Sequence, residues 1–221
     1  MFGRFALKAL PEEISKYFSL DECDDFSPRF NIPPTVKVPT IRQTPAGKRV
    51  LNLLRWGLVP FWAKDLSIGA KLNNARGETV ADKPSFRSAF KARRCLVPAS
   101  GFYEWKTEAK IKQPYFISLK SGDPMAFAGI WESWTSKESG EIVETVCIVT
   151  TGPNEVMAPI HDRMPVIVGL HHWKNWLTGS ADAAQQLVAP YPAEEMQAWP
   201  VSRRVSRSTE QGPELIEAIV L

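Results

Sequence analysis

From end to end the chain is a succession of short β-forming runs broken by turn signals, with no regular interleaving of strand-length and helix-length segments. Runs at 4–8, 36–43, 49–56, 95–98, 102–106, 115–119, 125–131, 143–151 and 165–168 read as strands. Pro45-Ala46-Gly47-Lys48 and Lys120-Ser121-Gly122-Asp123 read as hairpin connections, which favour antiparallel pairing. Helical segments are fewer. Pro11 at a first-turn position, Glu12 and Glu13 at the positive end of the dipole, and Ile14, Tyr17 and Phe18 on one face predict the first helix. Others are expected at 84–91, 154–157, 170–177 and 181–188, and the polar stretch 203–212 reads as a loose connection. Without βαβ units, the expectation is an α+β fold: a curved, largely antiparallel, barrel-like sheet flanked by short helices.

With 221 residues, 44% of them hydrophobic, the chain suits a single domain over 1–221. A net charge of +3 excludes a polybasic tail, so any nucleic-acid contact has to come from a local group of arginines. Cys23, Cys95 and Cys147 lie far apart without paired spacing, which argues against a disulfide framework or a zinc site and for a reducing compartment. No apolar run reaches membrane-spanning length, and residues 1–10 lack the apolar core of a signal peptide. His171 and His172 are adjacent, about 100° apart on a helix, with no carboxylate or thiol at ligand spacing. A cytoplasmic monomer with no metal, cofactor or membrane partner is expected. Of eight tryptophans, Trp173 and Trp176 have the spacing of a packed helix face. Trp56, Trp62 and Trp105 stand beside glycine, proline or charged residues, where an indole lines a groove.

Four stretches carry possible chemistry. In Ala158-Pro159-Ile160-His161-Asp162-Arg163-Met164-Pro165, prolines restrict the backbone around an imidazole that exchanges protons near neutral pH. Asp162 is placed to orient that ring and Arg163 to hold an anion. In Asn73-Asn74-Ala75-Arg76-Gly77-Glu78, Asn74 can both donate and accept at a reacting oxygen, while Arg76 can bind a phosphate through its fork. In Gly101-Phe102-Tyr103-Glu104-Trp105, a carboxylate within an aromatic strand would have a raised pKa suited to acid or base work. Strand alternation puts Glu104 and Phe102 on one face, Tyr103 and Trp105 on the other. The fourth is the start, Met1-Phe2-Gly3-Arg4-Phe5. Each has a structural alternative: a histidine satisfied in a turn, an Asn-capped helix start with a surface arginine, a water-facing carboxylate, a frayed terminus.

These stretches, together with Arg29-Phe30-Asn31-Ile32, Arg55-Trp56-Gly57-Leu58-Val59-Pro60, Lys83-Pro84-Ser85-Phe86 and Arg93-Arg94-Cys95-Leu96-Val97-Pro98, occur in the order that resembles the SOS-response-associated peptidase (SRAP) family. The resemblance runs to about Val168 and continues weakly through Gly212-Pro213-Glu214-Leu215-Ile216. It implies a protein that processes abasic sites in single-stranded DNA. By the same resemblance, Asn74 positions the reacting sugar, Glu104 serves as acid or base in imine formation, and His161 shuttles a proton to the opened sugar oxygen. Arg4, Arg76 and Arg163 grip phosphates, and Trp62 and Trp105 border the strand. Three phosphate contacts on a single strand imply a log-affinity slope against log salt of about −2.

One position departs from the family's pattern. There a cysteine follows the initiator methionine and, once that methionine is removed, its amine and thiol capture the abasic-site aldehyde as a thiazolidine. This chain has Phe2. Phenylalanine supplies no thiol and is too large a second residue for ordinary methionine removal, so Met1 is expected to stay. A terminal amine with a pKa of about 8 still forms an imine, but one that hydrolyses readily for want of a neighbouring thiol. Durable crosslinking is therefore expected to be lost or reduced. Two other classes fit the same residues: an amide or peptide hydrolase using Glu104 and His161, and a non-catalytic DNA-binding module keeping a relic site.

Overall fold

The structure, a computed structural model, describes residues 2–221; the expected retention of Met1 lies outside them. In chain order the elements are β1 (Phe5–Leu7), α1 (Pro11–Phe18), β2 (Glu22–Cys23), β3 (Arg29–Ile32), β4 (Lys37–Gln43), β5 (Arg49–Trp56), β6 (Asn74–Arg76), α2 (Arg87–Ala92), β7 (Arg94–Ala99), β8 (Gly101–Glu108), β9 (Ile111–Leu119), β10 (Met125–Thr135), β11 (Ile142–Thr151), β12 (Met164–Pro165), α3 (Trp173–Thr178), α4 (Ala181–Gln185) and β13 (Met196–Pro200). The fold is α+β, as the strand-rich pattern predicts.

Five strands close on themselves: β5 pairs β4, β4 pairs β7, β7 pairs β10 and β10 pairs β11, all antiparallel, and β11 returns to β5. A ring with an odd number of strands cannot alternate direction all the way round. One seam has to be parallel, and it is the short β11–β5 contact at Thr145↔Arg55 and Val146↔Trp56. The second sheet, in the order β13-β9-β8-β1-β3, packs against this barrel. Phe102 of β8, Phe5 of β1, Trp56 of β5 and Phe127 of β10 are fully buried between the two. The far face of the second sheet buries Ala6, Tyr103 and Phe116 under Val201, Val205 and Leu215 from the C-terminal segment.

The first helix forms as expected, with Ile14 and Phe18 buried and Ser19 in the left-handed conformation ending it. The 45–48 turn joins β4 to β5 through Gly47 at φ +84°. The other expected hairpin is not one. Residues 120–123 carry the chain from β9 in one sheet to β10 in the other, strands that do not pair with each other. The hairpin lies instead at Ala109 and Lys110, both left-handed without glycine, between β8 and β9. Residues 154–157 form turns, not a helix. Residues 203–212 are held rather than loose: buried Asn31 donates to the carbonyls of Val205, Arg207 and Glu210.

Two helix ends are fixed by a single side chain. Buried Arg94 donates to the carbonyls of Phe90 and Lys91 at the end of α2, and of Trp176 and Gly179 at the end of α3. These are among the carbonyls a helix leaves unsatisfied at its C-terminus. Arg94→Ala is expected to destabilise the fold by about 3–5 kcal/mol, read as a lower urea midpoint, because several buried acceptors lose their donor at once.

Candidate acid–base cleft

The chain start is anchored before anything else at the site. The Phe2 ring, fully buried, meets Trp56, Phe102 and Phe127 with centroids 5.5–5.7 Å away. Its carbonyl accepts from the Asn74 carboxamide and, at 3.4 Å, from Asn73 Nδ2. Both asparagines arrive on a loop that leaves the barrel at Gly57. That residue has φ +136°, and a Cβ on it would lie 2.5 Å from the Gly69 carbonyl oxygen, so only glycine lets the loop fold back this closely. Asn74 then starts β6, which pairs in parallel with β11 at Ile148. The alternative of an Asn-capped helix start is thereby excluded.

Two residues beyond Phe102 on the same face of β8, Glu104 is buried. Burial pushes its carboxyl up to about 7. Its Oε2 stands 3.8 Å from His161 Nε2, too long for a hydrogen bond but close enough for each charge to be felt by the other. The His161 ring is held from its other side: the Arg163 amide donates to Nδ1 at 3.0 Å, and Asp162 Oδ1 lies 3.1 Å from the same atom. The Arg163 carbonyl also lies 3.3 Å from Nδ1, so that side of the ring meets both a donor and acceptors, and Nε2 is the nitrogen that faces Glu104. Burial lowers the imidazole pKa, with the Asp162 charge opposing. Glu104 Oε1 and Asn74 Oδ1 are both buried without a hydrogen-bond partner among the described residues. Unpartnered acceptors are costly in a protein interior, so both atoms call for a donor beyond the described side chains.

A cleft of about 450 Å³ opens beside this pair, lined by Glu104, Trp105, Thr107, Lys112, His161 and Ser206. Trp105 is fixed by its indole N–H to Ser206 Oγ at 3.1 Å, with the Arg4 guanidinium 5.9 Å over its ring. Phe2 is not among the lining residues; its side chain belongs to the interior.

The three arginines differ in what they offer. Arg4 is half-buried and donates to Asn31 Oδ1 at 2.6 Å and the Val205 carbonyl at 2.7 Å, tying the chain start to the C-terminal segment. Arg163 grips Glu78 with both arms, at 2.5 and 3.0 Å, and also donates to the Thr150 carbonyl. Arg76 is exposed on β6, in register with Thr150. Trp62 is 48% exposed on the loop after β5, where no contact ties it to the cleft. Trp56, expected in a groove, is fully buried, because its indole N–H finds the Asn73 carbonyl. Sequence reasoning passed over Asn31, Asn73, Glu78 and Lys112. Asn31, Asn73 and Glu78 stood inside the sequence motifs, but their partners are remote in sequence.

Cys95 and Cys147 are buried inside the barrel with thiols pushed up by desolvation, and Cys23 is on an edge strand; none lines the cleft. Among the described residues no group of three or more His, Cys, Asp or Glu is arranged to hold a metal ion. No helix of the described residues is long and apolar enough to cross a membrane.

A closed five-stranded barrel backed by a second sheet, with a carboxyl and an imidazole facing each other beside an open cleft, defines an α+β barrel protein with a candidate acid–base site. The chain belongs to the SOS response associated peptidase family, SRAP, whose profile matches residues 1–208. It is 43% identical over 225 residues to the abasic site processing protein YoqW of Bacillus subtilis strain 168, covering 99% of this chain and all of that one. It is 30% identical over 265 residues to the abasic site processing protein HMCES of Xenopus tropicalis, covering all of this chain and 79% of that one. Among solved structures, a Bacteroides thetaiotaomicron protein superposes with a TM-score of 0.88 at 25% identity, covering 98% of this chain and 99% of that one.

Proposed function

We propose that this protein is a single-domain, cytoplasmic, monomeric binder of single-stranded DNA that acts at abasic sites through reversible imine chemistry, without the durable crosslink that a cysteine at position 2 would give. The observation that carries this reading is the Glu104–His161 pair at 3.8 Å, opening on the cleft, with Asn74 holding the Phe2 carbonyl. The names of the relatives support the same substrate.

In the proposed reaction, the His161 imidazolium, with Nδ1–H facing Asp162, gives its Nε2 proton to the ring oxygen of the abasic sugar while the Glu104 carboxylate takes the proton of the anomeric hydroxyl, and the ring opens to the aldehyde. The amine of the chain's first residue adds to that carbon, forming a carbinolamine. Glu104, near 7 and so part protonated at neutral pH, protonates the departing hydroxyl; water leaves and the imine forms. Reversal uses the Glu104 carboxylate to activate a water against the imine carbon. Asn74 fixes the backbone from which the amine projects and offers its free Oδ1 to the sugar. Arg76 and Arg163 hold phosphates, the latter by exchanging Glu78 for the strand, while Arg4 and Trp105 shape the wall. Trp62 stacks a neighbouring base, worth about 1–3 kcal/mol.

Single-turnover incubation with an abasic oligonucleotide tests this. Borohydride is expected to trap an adduct, and heating without borohydride is expected to leave none. Binding without trapping would instead support a relic module, and turnover of an amide panel a hydrolase.

A further inference from the structure

The cleft extends past the reacting groups. Beyond Glu104 and His161 it is walled by Trp105, Thr107, Ser206 and Lys112, so a sugar held at the carboxyl leaves most of the space unfilled. Thr107 and Lys112 are direct partners across the β8–β9 ladder and therefore present their side chains on one face. Both are exposed, and the Lys112 ammonium has no ion-pair or hydrogen-bond partner among the described residues. This contrasts with Arg4 and Arg163, whose guanidinium groups are already engaged by protein oxygens.

A second observation concerns the backbone. β1 pairs with β8 only at Phe5↔Phe102 and Ala6↔Gly101, with a last hydrogen bond from the Tyr103 amide to the Arg4 carbonyl. From Glu104 to Glu108, β8 continues with β9 on one side and no strand on the other among the described residues. An exposed strand edge is a row of unpaired donors and acceptors, usually covered or blunted. Here it begins at the reacting carboxyl and ends beside the free lysine.

We propose that Lys112, with the hydroxyls of Thr107 and Ser206, forms a phosphate subsite flanking the sugar position, so that the bound strand leaves the cleft along the open edge of β8. The ammonium supplies the charge, the two hydroxyls supply directed donors, and Trp105 forms the wall between sugar and phosphate. The subsite rests on the reading of this protein as a binder of abasic single strands, and it assigns the edge along which that strand leaves the cleft.

Fluorescence-anisotropy titrations of a labelled abasic oligonucleotide over a salt series test it, using the full chain and the variants Lys112→Ala, Lys112→Glu and Lys112→Arg, with Lys174→Ala on α3 as control. Loss of one phosphate contact is expected to flatten the slope of log affinity against log salt by about 0.7 in Lys112→Ala. Lys112→Glu is expected to bind more weakly still, and Lys112→Arg and Lys174→Ala to match the parent. Trimming the oligonucleotide on one side of the lesion, and not the other, is expected to abolish the difference between Lys112→Ala and the parent. Unchanged affinity and slope in Lys112→Ala and Lys112→Glu, with a parent that binds, would overturn the subsite alone. A parent that binds no abasic strand would overturn the proposed function, and the subsite with it.

Discussion

Phe2→Cys is expected to yield a conjugate with an abasic oligonucleotide that survives heating in a denaturing gel, where the parent yields none. A cysteine is small enough for the initiator methionine to be removed, leaving amine and thiol on one residue; the amine condenses with the aldehyde, the thiol closes on the imine carbon, and one water is released. The substitution also empties the space the ring fills between Trp56, Phe102 and Phe127. Phe→Ala changes in cores cost about 3–5 kcal/mol, and the sulfur recovers part of that, so a loss of about 3 kcal/mol is expected by urea denaturation. The two effects have opposite consequences for the protein, so they must be measured together. Phe2→Ala separates them: it should lose similar stability and form no conjugate. A folded Phe2→Cys protein, shown by mass to have lost its methionine yet giving no conjugate, would mean that the cleft does not perform this chemistry.

Glu104→Gln is expected to stabilise the protein above neutral pH while abolishing borohydride trapping. The carboxyl has a folded value near 7 against an ordinary 4.5, so between those pH values the native state holds more protons than the unfolded chain. Stability therefore falls as pH rises through that window, and the full cost, about 3 kcal/mol, is present above it. Glutamine carries no charge to desolvate. At pH 8 the variant is expected to melt roughly 6–12 °C higher than the parent, with the difference vanishing below pH 4.5. Equal melting temperatures at pH 8 would show that the carboxylate is solvated rather than held at a cost, and the proton-transfer role would lose its basis. A group kept at the expense of stability is what a reacting acid requires.

Strand alternation put Glu104 on the face of Phe102 but left open whether that face met water, because Tyr103 and Trp105 make the other face aromatic too; the structure buries both faces there. His161 was legible from the prolines around it. Asn74 was legible as a residue but its setting was not: its three-residue strand exists only through parallel pairing to a strand more than 70 residues later, and nothing local signals it. Glu78 was given no role because its partner Arg163 is 85 residues away. Trp56 was misjudged as groove-lining since the carbonyl that satisfies its N–H, from Asn73, comes from the same long-range loop. The β8–β9 hairpin escaped notice because Ala109 and Lys110 adopt left-handed angles without the usual glycine or asparagine, and Lys112 escaped with it. Apart from that local turn, what the sequence hides is a contact whose partner lies far along the chain.

The parallel seam also sets when the candidate site can first assemble during synthesis. Arg55 and Thr145 must both be made before β5 can meet β11, and β6, which carries Asn74, docks on that same β11. Phe2 waits for Phe127, Glu104 for His161, and Arg4 for Val205. Although the first residues emerge earliest from the ribosome, they find their partners only when nearly the whole polypeptide has been translated. A truncated product that ends before His161 therefore carries the amine, Asn74 and Glu104 without the imidazole that faces the carboxyl in the finished chain.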